Sequence, residues 1–243
     1  VKYYIDPGEV VRVEDYSFRD KHGYVSNELA DSTEIVQMML ADTVHTLLRR
    51  GMPMDIETLE NERERITKML RENGYFNFSK NFIQYYADTT RKHSSELVHL
   101  LLSVADKQPD STAYQKYSIG KIQVNLDYNP LLMLNEGDSA YVRTKYGDCD
   151  VIYSGKLKKT DAIYDDIDTL QFKEGELYNV KKVTASYARL QALNLFKFIN
   201  IVFKPGVNEK GEAVVNCEIL LTPLKRQSYN VFLEGTNNSG NIG

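Results

Sequence analysis

Apolar and polar positions along the first hundred residues predict one complete α+β unit. Val11, Val13, Tyr16 and Phe18 mark a strand with one irregularity, preceded by turn chemistry at Asp6-Pro7-Gly8. Residues 19–33 are polar and loop-like. Helical spacing then runs from Thr33 to Arg50 through Ile35, Met38, Met39, Val44, Leu47 and Leu48, and Gly51 after Arg49 and Arg50 fits a helix stop. A second helix starts at the cap residue Asp55. Its apolar stripe is Ile56, Leu59, Ile66 and Leu70, charged residues cover the rest, and it ends at Asn73-Gly74. Two strands follow, Phe82 to Asp88 and Glu96 to Val104, separated by a polar stretch. Residues 9–105 therefore read β-α-α-β-β.

The same order returns. Lys116 to Asp127 reads as a strand, and 128–160 as irregular with some extended character. A short helix is predicted from Thr160 to Thr169. Asn179 caps a longer helix with Val180, Val183, Tyr187 and Leu190 on one face. Phe198 to Phe203 is a strand, Asn208 to Gly211 a hairpin turn, and Ala213 to Thr222 the last strand. Along that strand Val215, Cys217, Ile219 and Leu221 point inward, and Asn216 and Glu218 outward.

The two passes align as an internal repeat. Val11-x-Val13-x-x-Tyr16-x-Phe18 matches Tyr117-x-Ile119-x-x-Ile122-x-Val124 at an offset of 106. Gly51-x-x-Met54-Asp55-Ile56-x-x-Leu59 matches Gly175-x-x-Tyr178-Asn179-Val180-x-x-Val183 at an offset of 124, so the second copy holds an insert of about 18 residues, placed at 128–150. The expected organisation is two tandem β-α-α-β-β domains, 9–105 and 116–224, joined by a linker at 106–115. Each is expected to be a three-stranded sheet covered by two helices. Residues 1–8 read as the end of a preceding domain or a linker.

Composition narrows the function classes. The chain has 243 residues, 42% of them hydrophobic and 26% charged, which is globular rather than disordered composition. Its net charge of -4 gives no support to a nucleic-acid surface. No apolar run approaches the roughly 18 residues of a membrane-spanning helix. Cys149 and Cys217 lack zinc-site spacing; Cys217 reads as a buried small hydrophobe and Cys149 as a loop thiol, and whether they pair is open. His22, His45, His93 and His99 have no partner at metal spacing. The acidic cluster Asp161, Asp165, Asp166 and Asp168 lacks calcium-loop spacing. No catalytic motif occurs, and neither an enzyme, a metal nor a cofactor is expected.

Several motifs together resemble a known family. Gly51-x-x-Met54-Asp55, then Leu59-x-x-Glu62-x-x-Arg65-Ile66, then Leu70-x-x-x-Gly74-Tyr75-Phe76 is similar to the second-helix signature of polypeptide-transport-associated (POTRA) domains. The second copy keeps Gly175 and Asn179 and has a variant exit at Asn194-Leu195-Phe196-Lys197-Phe198. Residues 225–243, with alternating Val231 and Leu233 and then a Gly/Asn-rich stretch, look like a linker and the start of a C-terminal β-barrel of the BamA/TamA outer-membrane superfamily. In its Tyr-rich composition, Gly-Tyr-Phe exit and long inserts the chain resembles Bacteroidetes-type surface-antigen proteins. The resemblance implies a non-catalytic segment at the periplasmic face of the outer membrane, attached through the barrel. Its implied partners are unfolded outer-membrane or secreted proteins and accessory assembly lipoproteins. Barrel insertion, autotransporter assembly and two-partner secretion stay open, as does a free-standing periplasmic scaffold or division-type module without a barrel. A periplasmic enzyme would need a convergent polar pocket.

In a β-α-α-β-β unit the terminal hairpin puts the last strand in the middle, so the second strand lies on an edge. Edges accept extended chains by strand addition. The candidate partner-binding residues are Phe82, Ile83, Gln84, Tyr85 and Tyr86 in the first copy and Ile199, Ile201 and Phe203 in the second.

Overall fold

The computed structural model describes residues 10–19, 34–88, 97–104, 111–129, 141–154 and 167–224. Its elements are β1 (Arg12–Arg19), α1 (Glu34–Ala41), α2 (Ile56–Arg71), β2 (Ile83–Asp88), β3 (Leu97–Val104), β4 (Ser118–Asn125), β5 (Tyr141–Tyr146), β6 (Cys149–Ser154), α3 (Val180–Ala192), β7 (Phe196–Val207) and β8 (Ala213–Pro223). They form two separate sheets, one ordered β1-β3-β2 and the other β5-β6-β4-β8-β7. The chain is α+β, with the central strand of each hairpin running parallel to the first strand of its copy.

The internal repeat is visible bond by bond. The Val13 N–H donates to the Met52 carbonyl and the Gly51 N–H to the Val13 carbonyl, at 2.9 and 2.7 Å. In the second copy the Ile119 N–H donates to the Glu176 carbonyl and the Gly175 N–H to the Ile119 carbonyl, at 2.7 and 2.8 Å. Both offsets read from the sequence therefore hold in the backbone. Gly51 and Gly175 sit at φ 81° and 84°, and a Cβ would touch nothing at either place, so the left-handed turn alone calls for glycine. The Asp55 carboxylate accepts from the N–H groups of Glu57 and Thr58, and the Asn179 side-chain oxygen from those of Lys181 and Lys182, as helix caps do.

Three expectations are corrected. The first helix ends at Ala41, not Arg50, and a short 3-10 turn at Thr43–His45 follows. The buried Glu62 carboxylate explains the stop. It accepts from the Thr46 hydroxyl and the Leu47 N–H, each at 2.9 Å, pulling the chain out of helical register. Val44 is then left exposed while Leu48 is buried. The second sheet has five strands rather than three, because part of the stretch read as irregular forms the hairpin β5–β6 around Gly147 and Asp148. β6 pairs with the outer side of β4, and the Asp127 carboxylate fixes it there by accepting the Ser154 N–H and hydroxyl. Cys149, read as a loop thiol, is buried at the start of β6. Cys149 and Cys217 both register against Ile122 from opposite sides, so two strand spacings (roughly 9.5 Å) part them and both thiols are free.

The larger core packs Ile119, Ile122, Val124, Val151, Leu190, Val215, Ile219 and Leu221 between the second sheet and α3. On α3, Ser186 takes an inward place: its hydroxyl donates to the Lys182 carbonyl and accepts the Gln171 N–H, while Tyr187 stays exposed. The first core joins Ile35, Met39, Ile66, Leu70, Tyr75, Phe78, Ile83 and Leu102. The short helix predicted at 160–169 and the strand-like tail at 225–243 lie mainly or wholly outside the described residues.

Candidate docking site

β2 is the end strand of its sheet, with Ile83 to Asp88 registered only against Val104 to His99 of β3 among the described residues. Its side chains alternate. Ile83 is buried in the first core and Tyr85 packs against the same core. The Arg63 guanidinium lies 5.2 Å from the Tyr85 ring centroid, within cation–π range. Burial, with the nearby Glu62 carboxylate, pushes the Tyr85 phenol up from its ordinary range. Gln84 and Tyr86 are exposed, and the Tyr86 hydroxyl donates to the Gln84 side-chain oxygen at 2.7 Å. Phe82 belongs to the 3-10 turn before the strand. Its ring meets Phe78 edge-on at 5.6 Å. Five predicted residues are therefore brought together, two facing the helices, two facing away, and one anchoring the entry.

β7 ends the second sheet, and its described length, Phe196–Val207, exceeds the predicted six residues. Ile199, Ile201 and Phe203 all turn toward the second core. Only their backbone reaches the edge. Phe198, on the opposite face, is 65% exposed. β7 also carries exposed Lys197, Lys204 and Pro205, devices that blunt an edge, whereas β2 has neither Lys nor Pro.

Between the sheets lies a joint that sequence reading missed. Tyr75 is buried in the first core, but the next ring, Phe76, enters the second. Its centroid lies 6.0 Å from Tyr117, 5.0 Å from Tyr178 and 6.1 Å from Phe203, and the Tyr117 and Tyr178 contacts are edge-on. Backbone and side chains reinforce it. The Tyr117 N–H donates to the Gly74 carbonyl at 2.9 Å, Asn77 Nδ2 to the Tyr117 hydroxyl at 3.0 Å, and Asn179 Nδ2 to the Glu72 carbonyl at 2.7 Å. Lys116 pairs with Glu34 and lies 5.5 Å from the Tyr75 ring centroid. The Lys116 bond holds the Glu34 carboxyl below its usual range. Gly74 sits at φ 97°, a left-handed turn that favours glycine, and the Leu177 side chain packs against it from the second half. The signal available in the sequence was two adjacent aromatics after a helix, one more than a single core needs.

No family model matches the sequence, and no curated protein matches it. Solved structures with a similar arrangement include BamA of Haemophilus ducreyi lacking POTRA domains 1–3, at 11% identity over 80% of this chain and 28% of that one, TM-score 0.48. POTRA1–2 of the periplasmic domain of Omp85 from Anabaena is similar at 14% identity over 86% and 94%, TM-score 0.35. CdiB from Acinetobacter baumannii is similar at 12% identity over 91% and 31%, TM-score 0.29. The chain spans less than a third of the BamA and CdiB structures.

Proposed function

We propose that this chain is a periplasmic POTRA segment of an outer-membrane protein assembly or translocation factor, built from domains at 9–105 and 116–224 with a linker at 106–115. It docks extended segments of unfolded client proteins along β2 and performs no catalysis. The observation that supports this most is the strand order β1-β3-β2, which leaves β2 with one described neighbour and without Lys or Pro. The capped second helix and the Gly74-Tyr75-Phe76 exit support the family reading from the sequence side. Main-chain pairing explains tolerance of many client sequences, and the ordering of a flexible client keeps affinity modest.

Proline substitutions test the edge. Gln84 and Ala87 are both exposed and lie three positions apart, so one aims its N–H at β3 and the other away. In one of the variants Gln84→Pro and Ala87→Pro the ladder breaks and thermal stability falls. The other keeps the fold and loses an outward donor. The fold-preserving variant is expected to bind barrel-derived peptides several-fold more weakly, with parental amide shifts centred on 83–88. Equal binding by that variant, or shifts centred elsewhere, overturns strand addition at β2.

A further inference from the structure

A groove of about 630 Å³ opens at the joint between the two sheets, a size typical of ligand sites. Thr67, Lys68 and Arg71 of α2 form one part of its lining, and Phe76 and Asn77 form another. Val180, the first residue of α3, also reaches it, so both halves of the chain contribute. The groove is separate from the β2 edge, and the inference does not rest on strand addition there.

Its charge is unbalanced. Glu64 and Lys80, which also line the groove, pair with each other at 2.8 Å, and Lys80 reaches Glu60 at 2.9 Å. Among the described residues no carboxylate lies within ion-pair distance of Lys68 or Arg71. A chain of net charge -4 thus places two uncompensated cations in one groove. Arg71 bonds the Tyr178 side chain, yet its Nε is buried without an acceptor, and so is the Thr67 hydroxyl beside it. Buried donors left unmatched are exceptions in folded proteins and call for a partner. A carboxylate entering the groove would bind the Lys68 ammonium and the Arg71 guanidinium through short charge-assisted bonds. Phe76, Phe78 and Val180 make one part of the lining apolar, which a compact hydrated phosphate would leave unused and an apolar side chain next to the carboxylate would cover. Asn77 and Ser79 offer side-chain groups to a peptide backbone.

We propose that this groove binds an acidic peptide segment, with a carboxylate at Lys68 and Arg71 and a neighbouring apolar side chain against Phe76. The test titrates the whole 243-residue chain with a labelled peptide of alternating aspartate and leucine. The same peptide with asparagine for aspartate, and inorganic phosphate alone, are the comparisons. Fluorescence anisotropy and amide shifts are the readouts. The acidic peptide is expected to bind at least about tenfold more tightly than its asparagine counterpart, to weaken as salt rises, and to shift Thr67, Arg71 and Asn77. Lys68 is exposed, so Lys68→Gln keeps the fold and is expected to weaken the acidic peptide several-fold while leaving the asparagine peptide unchanged. Arg71→Gln is expected to abolish the preference. Equal affinity for the two peptides, unchanged binding by Lys68→Gln, shifts confined to 83–88, or phosphate alone reproducing the shifts while the peptide does not bind, each overturns the proposal.

Discussion

Replacing Phe76 by alanine should damage the half of the chain to which Phe76 does not belong by sequence. A fully buried Phe→Ala change costs about 3–5 kcal/mol. Phe76 is half-buried, which scales the transfer part to about 2 kcal/mol, and the loss of ring contacts with Tyr117, Tyr178 and Phe203 adds up to about 1 kcal/mol. A total of about 2–3 kcal/mol is a large share of the ~5–15 kcal/mol that holds a domain together. It corresponds to a roughly 30- to 150-fold rise in the opening equilibrium. The chain has no Trp, so segment-resolved hydrogen exchange is the suitable assay. In Phe76→Ala, peptides covering 118–125 and 213–223 should exchange faster by that factor, while 56–71 stays near the parent. Tyr75→Ala should do the reverse, since Tyr75 packs with Ile66 and Leu70. Equal loss in both halves, or a total below about 0.5 kcal/mol, would refute the assignment of the two rings to different cores.

Two further outcomes follow from buried groups. Burial alone would raise the Glu62 carboxyl, but bonds from Arg65, the Leu47 N–H and the Thr46 hydroxyl together hold it below its ordinary value. A carboxyl lowered on folding adds stability above its unfolded pKa of about 4.3 and loses it as pH falls through the folded value. Melting temperature should therefore drop as pH falls from about 5 to 3, and Glu62→Gln should flatten that slope and cost about 2–3 kcal/mol at pH 7; an unchanged slope would remove Glu62 as its source. Burial pushes the Cys149 thiol up to about 11 and raises Cys217 also. Both should resist a thiol reagent at pH 8 until denaturant unfolds the second sheet, and fast labelling of either in the native protein would contradict its burial.

Much of this fold is legible because local rules agree with the global one. Asp55 and Asn179 announce their helices by cap chemistry that depends on a few adjacent residues. Val215, Cys217 and Ile219 alternate with the polar Asn216 and Glu218, and these three and Leu221 are buried. The failures occur where a distant partner decides. Residues 42–50 have helical spacing, but Glu62 captures Thr46 and Leu47, so a polar group on another helix overrides propensity. The hairpin at 141–154 has short strands with mixed exposure, and its place beside β4 depends on Asp127 reaching Ser154. Choosing Ile199, Ile201 and Phe203 as edge residues picked one face of a strand, and that face is the core side. The strand order was legible from topology; the groove was not, because Arg71 and Val180 come to line one groove only once the joint closes.

The same physics makes the two sheets unequal as docking surfaces. In the second copy, the outer side of β4 is occupied twice: segment 175–178 bonds Tyr117 and Ile119, and β6 pairs with Ile122 to Asn125. Its two end strands carry cations, Arg143 and Lys145 on β5, Lys197 and Lys204 on β7, and β7 also has Pro205 without an N–H. An incoming strand therefore meets charge and a missing donor there. β2 has no Lys, Arg or Pro and its one charge is Asp88 at its far end, and its entry is fixed: residues 77–82 are the whole connection from Phe76 in the joint to Ile83 in the first core. A chain docked on β2 would thus lie against a strand whose start is tied to both cores. Under the proposed docking, the first sheet would receive clients while the second holds the joint beside it.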